Sequence, residues 1–189
     1  MSYNSKAFTL VELLVVIAII SLLATVVLSA TNKARLKGKV ARTIAQMRQI
    51  QQAVMLYMED TGKQPPSCRL DCTETTDPLL TNVGSVSGWN GPYIQGGVYN
   101  RKHQWGGHMG IYVTDYDNNG KQEVWIILDD DAPGTNFADN SGQIPDDAMQ
   151  MLDDKIDDGN VHTGTLFVGD GTPPFATGEA AWLVSGSEL

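Results

Sequence analysis

Residues 6–28 read "KAFTLVELLVVIAIISLLATVVL". From Leu13 to Asn32 the chain carries no charge, and a single carboxylate, Glu12, stands at the front edge of that run. Coiled as an α-helix, the uncharged run rises about 30 Å, the hydrocarbon thickness of a bilayer. An unpaired carboxylate beside such a run is heavily penalised in hydrocarbon, so its presence asks for a partner.

The run continues without a helix stop into "TNKARLKGKVARTIAQMRQIQQAVMLYMEDTGKQPP". Val40, Ile44, Met47, Ile50, Val54, Tyr57 and Met58 recur at steps of three and four and trace one helical face. The pattern predicts one helix from about Phe8 to about Asp60, roughly 80 Å long. Its first half is apolar all round and its second half amphipathic. A glycine and two prolines in "DTGKQPP" end it. With no proline inside it, no proline kink is expected, and Gly38 is its one intrinsic weak point.

Charge is divided as sharply as hydropathy. The chain has 13 Lys+Arg and 22 Asp+Glu, a formal net charge of −9. Lys33, Arg35, Lys37, Lys39, Arg42 and Arg48 lie in a stretch with no acid between Glu12 and Glu59, whereas residues after 60 are strongly acidic. An acidic body on a basic stem argues against nucleic acid as a partner and for lipid headgroups or acidic neighbours along the stem.

Beyond residue 62 the chain turns Gly-, Asp- and Asn-rich. "GIYVTDYDNNGKQEVWIIL" (110–128) is the clearest hairpin, with Ile111 and Val113 on one arm and Val124, Ile126 and Leu128 on the other. Asn119-Gly120 between them favours a type I′ turn. "GTLFVG" and "AAWLVS" read as later strands, and "DAMQMLDDKIDDG" as a short helix before Gly159. The fold class expected is α+β: a long N-terminal helix packed against a small antiparallel sheet with long loops. The organisation expected is a leader over 1–7, a membrane or filament-core segment over 8–32, the amphipathic half of the same helix over 33–62, and an acidic globular head over 63–189.

Three readings compete for the N-terminal segment. A cleaved secretory signal has a basic front, a short apolar core and a small-residue exit, which Lys6 and "VLSA" match; Glu12 at the edge of the apolar core fits that poorly. A plain membrane anchor accommodates the length and leaves Glu12 without a purpose. In the third, "KAFTLVELLVVIAIISLLA" resembles the N-terminus of type IV pilins and of the pseudopilins of type II secretion systems. Their prepilin peptidase cuts before the phenylalanine of a "G-F-T-L-x-E" motif. The resemblance implies a cut between Ala7 and Phe8, N-methylation of Phe8, and an assembly role for Glu12, whose carboxylate would meet the N-terminal amine of a neighbouring subunit. The physics agrees, because a carboxylate and an ammonium brought together in a low-dielectric bundle compensate each other while either alone is penalised.

The likeness extends to "MLYMEDTGKQPP", similar to the run ending the pilin helix, and to "GWNGPYI" (88–94), similar to a "W-x-G-P-Y" segment of major pseudopilins. Ala7 departs from the usual glycine before the cut, and Ser21 and Ser29 stand where many relatives carry glycine and proline. The partners implied are copies of the chain in a helical filament, the prepilin peptidase, an inner-membrane assembly platform and membrane lipid. The location implied is the inner membrane, then a periplasmic or extracellular filament.

Candidate sites in the body are fewer. Cys68 and Cys72 in "SCRLDC" suit a small disulfide loop if the body lies outside the cytoplasm; half a metal site and free thiols are the alternatives. Asp115, Asp117 and Asn119 take the first, third and fifth places of an EF-hand-like loop, but Ile126 occupies the twelfth, which excludes an EF-hand. A different Ca²⁺ loop is open there, and major pseudopilins hold Ca²⁺ in an acidic loop of the C-terminal body. Asp129 to Asp131 and Asp153, Asp154, Asp157 and Asp158 are further oxygen donors; the competing reading is solvated acidic loops. His103, His108 and His162 read as surface histidines. Trp89, Trp105, Trp125 and Trp182 read as core. No G-x-S-x-G, H-E-x-x-H or phosphate-binding glycine loop is present, so a structural protein rather than an enzyme is expected. The rival is a membrane-tethered or secreted calcium- or ligand-binding module.

Overall fold

The computed structural model describes residues 9–116, 118–133, 142–169 and 179–185. Two compact units divide it, Met1–Gly38 and Lys39–Leu189, and helix α1 (Leu10–Thr61) contributes to both. In the first unit every residue from Thr9 to Arg35 is exposed. Three hydroxyls are satisfied within the helix: Ser21, Thr25 and Thr31 donate to the carbonyls of Ile17, Ser21 and Val27 at 2.7–2.8 Å. Such internal bonding is what a hydroxyl on an apolar helix requires.

In the second unit the amphipathic pattern becomes a buried face. Val40, Thr43, Ile44, Met47, Ile50, Ala53, Val54 and Tyr57 are covered, and Met58 is half-buried. Gly62 ends α1 in the left-handed region at φ 65°, its N–H donating to Met58 O at 2.9 Å. That is the C-terminal glycine cap read from "DTGKQPP".

The sheet has four antiparallel strands in the order β1-β2-β4-β3, formed by β1 (Met109–Thr114), β2 (Glu123–Leu128), β3 (Leu166–Val168) and β4 (Ala180–Ser185). Helix α2 (Asp146–Ile156) precedes β3. The architecture is the α+β class expected from the sequence. The hairpin register follows from its alternation: Ile111 faces Ile126 and Val113 faces Val124. The turn differs from the two-residue type I′ expectation, because the strands stop at Thr114 and Glu123. The polar residues between satisfy themselves instead. Gly120 N–H donates to Asp115 Oδ2 at 2.9 Å, Lys121 N–H to Asn119 Oδ1 at 2.8 Å, and Tyr116 N–H to Glu123 Oε2 at 2.7 Å. These side-chain acceptors replace ladder bonds and hold a wider loop.

Central β2 is buried along its whole length. Trp125 is fully buried and meets Tyr116 and Phe167 edge to face at 5.4 and 5.7 Å. Trp89, Trp105 and Trp182 are half-buried, so of the four tryptophans expected in the core one is fully enclosed.

Long connections are pinned by polar anchors. Asp77, fully buried, accepts the N–H groups of Leu79, Val98 and Tyr99. Gly97 lies so close, at φ 66°, that a Cβ would come 2.2 Å from Asp77 Oδ2. The "GWNGPYI" segment clamps the end of α1: Tyr93 Oη donates to Asp60 Oδ2 at 3.0 Å and its ring packs edge-on against Tyr57 and Trp89. The Cys68–Cys72 disulfide is formed, and Cys68 pairs with Ile111 through two backbone bonds of 2.8 and 2.9 Å.

The histidines correct the sequence reading. His162 is exposed, but His103 and His108 are 3 % and 0 % exposed. His103 Nε2 lies 2.9 Å from Asp129 O and His108 Nε2 lies 3.1 Å from Val98 O. Close backbone contacts at Gly107 and Gly110 close the loop over them. Burial pushes both imidazoles down to about 4.

Two outcomes follow from this packing. Asp77→Ala leaves three backbone N–H groups without an acceptor and lowers stability by about 3 kcal/mol, read as a lower urea midpoint. Because both imidazoles are held neutral in the native state, stability is full above the ordinary histidine value and falls as pH drops from about 6.5 toward 4, by on the order of 3 kcal/mol per histidine. Urea midpoints measured across that interval show the decline, and His108→Gln flattens it.

Candidate functional site

The segment with the greatest functional content is the start of α1. Thr9 and Glu12 close a reciprocal cap: Glu12 N–H donates to Thr9 Oγ1 at 3.2 Å, while Glu12 Oε2 accepts from Thr9 N–H and from Thr9 Oγ1, both at 2.8 Å. This is the capping-box arrangement, in which the first turn satisfies its own orphan donors. It corrects the expectation that Glu12 has no purpose in a plain anchor, since one copy of the chain already gives it two local donors. The signal lay in the sequence as T-x-x-E before an apolar run. One carboxylate oxygen, Oε1, takes no part in the cap. Ala7 and Phe8, the expected cleavage and methylation positions, lie outside the described residues.

Behind the cap, the large apolar side chains from Leu10 to Leu28 are 46–79 % exposed. α1 is long and apolar enough in this part to cross a membrane. Leaving those 14 side chains in water costs about 20–40 kcal/mol at about 1.5–3 kcal/mol each, against about 1 kcal/mol from a helix cap. The segment is therefore built to be covered by lipid or by protein. Lys33, Arg35, Lys37, Lys39, Arg42 and Arg48 follow it, all exposed, as suits the headgroup level.

Of the expected body sites, Asp115 and Asn119 sit in the β1–β2 loop, where Asp115 Oδ2 and Asn119 Oδ1 each accept a backbone N–H. Asp117 lies outside the described residues. Two clusters elsewhere bring carboxylate oxygens within 4.8 Å of one another: Asp129, Asp130 and Glu179, and Asp153, Asp157 and Asp158. Asp129, Asp130 and Asp131 are buried rather than lying on the acidic surface loop that the sequence suggested. Burial pushes the Asp129 carboxyl up; the N–H of Asp131 on Oδ1 and the Arg69 guanidinium, 3.7 Å from Oδ2, oppose that. Arg69 in turn lies over the Tyr112 ring at 4.8 Å. The first cluster thus has a cation supplied by the chain itself. Glu179, distant in sequence from Asp129, carried no signal that would have joined the two.

No curated protein and no solved structure matches the chain. The prokaryotic N-terminal methylation motif family matches it over residues 2–28. Those residues include Glu12 and its cap and the apolar run behind it, so the chain begins its long helix with a prepilin motif of the type IV pilin and pseudopilin kind.

Proposed function

We propose that the chain is a structural, non-enzymatic subunit of a type IV pilus-like or type II secretion pseudopilus filament. In this reading it is inserted in the inner membrane, processed by a prepilin peptidase between Ala7 and Phe8, methylated on Phe8, and drawn by an assembly platform into a helical bundle of copies. The filament then stands in the periplasm or outside the cell. The observation that carries the reading is the one acid at the front of a bare apolar helix within a prepilin motif.

Cleavage after Ala7 leaves Thr9 with its peptide N–H, so the Thr9–Glu12 cap survives processing. The new ammonium on Phe8 of one copy and the Glu12 carboxylate of the next would compensate each other inside the bundle, where any stagger that separates them is penalised. Charge matching thereby sets register among helices whose apolar surfaces alone would slide. Contacts that repeat head to tail without closing generate a fibre. The basic band after Asn32 suits lipid headgroups before assembly and acidic neighbours afterwards.

The cap supplies the discriminating experiment. Glutamine in the third helical position keeps a capping box but carries no charge. Glu12→Gln therefore preserves the helix start and membrane insertion, yet sheared-filament yield falls as far as it does in Glu12→Ala, by tenfold or more on the order of one lost charge pair. Normal assembly of Glu12→Gln would mean that the acid serves only the helix end, and the rival of a membrane-tethered binding module would stand. Intact-mass and N-terminal analysis of the membrane-bound product is expected to show a methylated phenylalanine at residue 8; a product beginning near residue 31 would identify an ordinary secretory signal instead.

A further inference from the structure

Within the second unit, the segment from Tyr93 to Arg101 lies beside the amphipathic half of α1 and leaves a cleft of about 500 Å³. That volume is in the range of small-ligand sites. Gln49, Gln52, Ala53 and Leu56 of α1 line one side, and Tyr93, Ile94, Gln95 and Arg101 line the other. The loop side is fastened from beneath. Asp77 accepts the N–H groups of Val98 and Tyr99, and Tyr93 Oη donates to Asp60. The backbone of Arg101 is tied in both directions: its N–H donates to Val98 O at 3.1 Å and its carbonyl accepts Met109 N–H at 2.8 Å. A wall held in this way is preorganised, so a ligand would not have to order it.

Arg101 is a half-buried cation without an acid beside it. Its Nε donates to Gly97 O at 3.1 Å and its Nη2 to Gln95 O at 3.0 Å. Those bonds use one side of the guanidinium and leave the end-on fork between Nη1 and Nη2 open. Among the described residues no carboxylate lies within ion-pair distance of it. Asp77 attracts it only from farther away, and partial burial pushes its pKa down. A guanidinium withdrawn from water is best compensated by a carboxylate that takes two parallel hydrogen bonds.

The rest of the lining says what kind of molecule should carry that carboxylate. Gln46 and Gln64 elsewhere in the unit use their amides to hold the carbonyls of Lys102 and Gln122. The side-chain amides of Gln49, Gln52 and Gln95 make no hydrogen bond among the described residues. Each offers donors and an acceptor together, which is the pairing that a sugar hydroxyl takes. Ala53, Leu56 and Ile94 add apolar surface for the C–H face of a ring. A lone cation would suit any acidic partner; open amides and an apolar wall beside it favour a hydroxylated ring bearing the acid.

We propose that the cleft between α1 and the Tyr93–Arg101 segment is a binding site for an acidic saccharide of the uronic-acid class, with the Arg101 fork on the sugar carboxylate and the amides of Gln49, Gln52 and Gln95 on its hydroxyls. The site lies wholly in the second unit, goes beyond the filament reading and does not depend on it.

The test titrates the full chain, in micelles of an uncharged detergent that contains no sugar, with trigalacturonate, galacturonate, the neutral trisaccharide of galactose and a hexaglutamate peptide, read by calorimetry. Trigalacturonate is expected to bind at least about tenfold more tightly than the neutral trisaccharide. A trimer tighter than galacturonate assigns a polymer and equal binding a free sugar, and both uphold the site. Arg101→Lys keeps the charge but loses the fork, and weakens trigalacturonate about tenfold. Gln52→Glu, a change at an exposed position, sets a like charge against the ligand and weakens it by a similar factor; it decides the matter if Arg101→Lys does not fold. Absence of binding, equal binding of the neutral sugar, or unchanged binding in both variants overturns the proposal. Hexaglutamate binding as tightly as trigalacturonate overturns it in favour of an acidic protein surface.

Discussion

The controlling constraint in this protein is that the large apolar side chains from Leu10 to Leu28 stand exposed. Fourteen exposed Leu, Ile and Val side chains outweigh any local device that a helix end can offer. Whatever covers them decides where the protein resides and what it joins. The interior of the helix is arranged to make that covering inexpensive: no proline breaks the backbone ladder, and Ser21, Thr25 and Thr31 return their hydroxyls to carbonyls of the same helix. The one group that cannot be hidden in hydrocarbon alone is Glu12. Its cap with Thr9 uses Oε2 and leaves the other oxygen for a partner. One residue thus has two duties: one within a single copy, and in the proposed filament a second between copies.

The body solves a different problem. A sheet of four short strands cannot organise long connections by apolar contact alone, so buried polar groups serve as fasteners. Asp77 gathers three N–H groups, His103 and His108 hold the backbone near β1 and β2, and Tyr93 locks onto Asp60 at the end of α1. Such fasteners are strong when every partner is present and expensive when one is missing, which makes the body cooperative.

Legibility in the sequence follows the range of the physics involved. The long helix, its buried face, its glycine cap and the β1–β2 register were all readable, because periodicity and cap chemistry are local. The membrane-length run was readable for the same reason, as was the disulfide between cysteines four residues apart. What could not be read were burial states created by distant partners. His103 sits in a Gly-rich stretch that looks exposed, and only the approach of Asp129 O and Gly107 encloses it. Asp129 to Asp131 look like a solvated run, and only their place at the end of central β2 removes them from water. The wider β1–β2 loop escaped because Asn119-Gly120 signals a tight turn, whereas Asp115 and Glu123 supply acceptors that favour a longer one. The Thr9–Glu12 cap, by contrast, is a local pattern that was there to be read.

The pairing of Cys68 with Ile111 bears on what the edge of the sheet can recruit. β1 is an outer strand of the sheet, and an uncovered outer strand is a template for adding another chain. Here the crosslinked loop lies along that strand and occupies part of its hydrogen-bonding row. The opposite margin, β3, is three residues long, too short to recruit a foreign strand effectively. Among the described residues, each margin of the sheet is thereby either partly occupied or short, which disfavours strand addition by another chain.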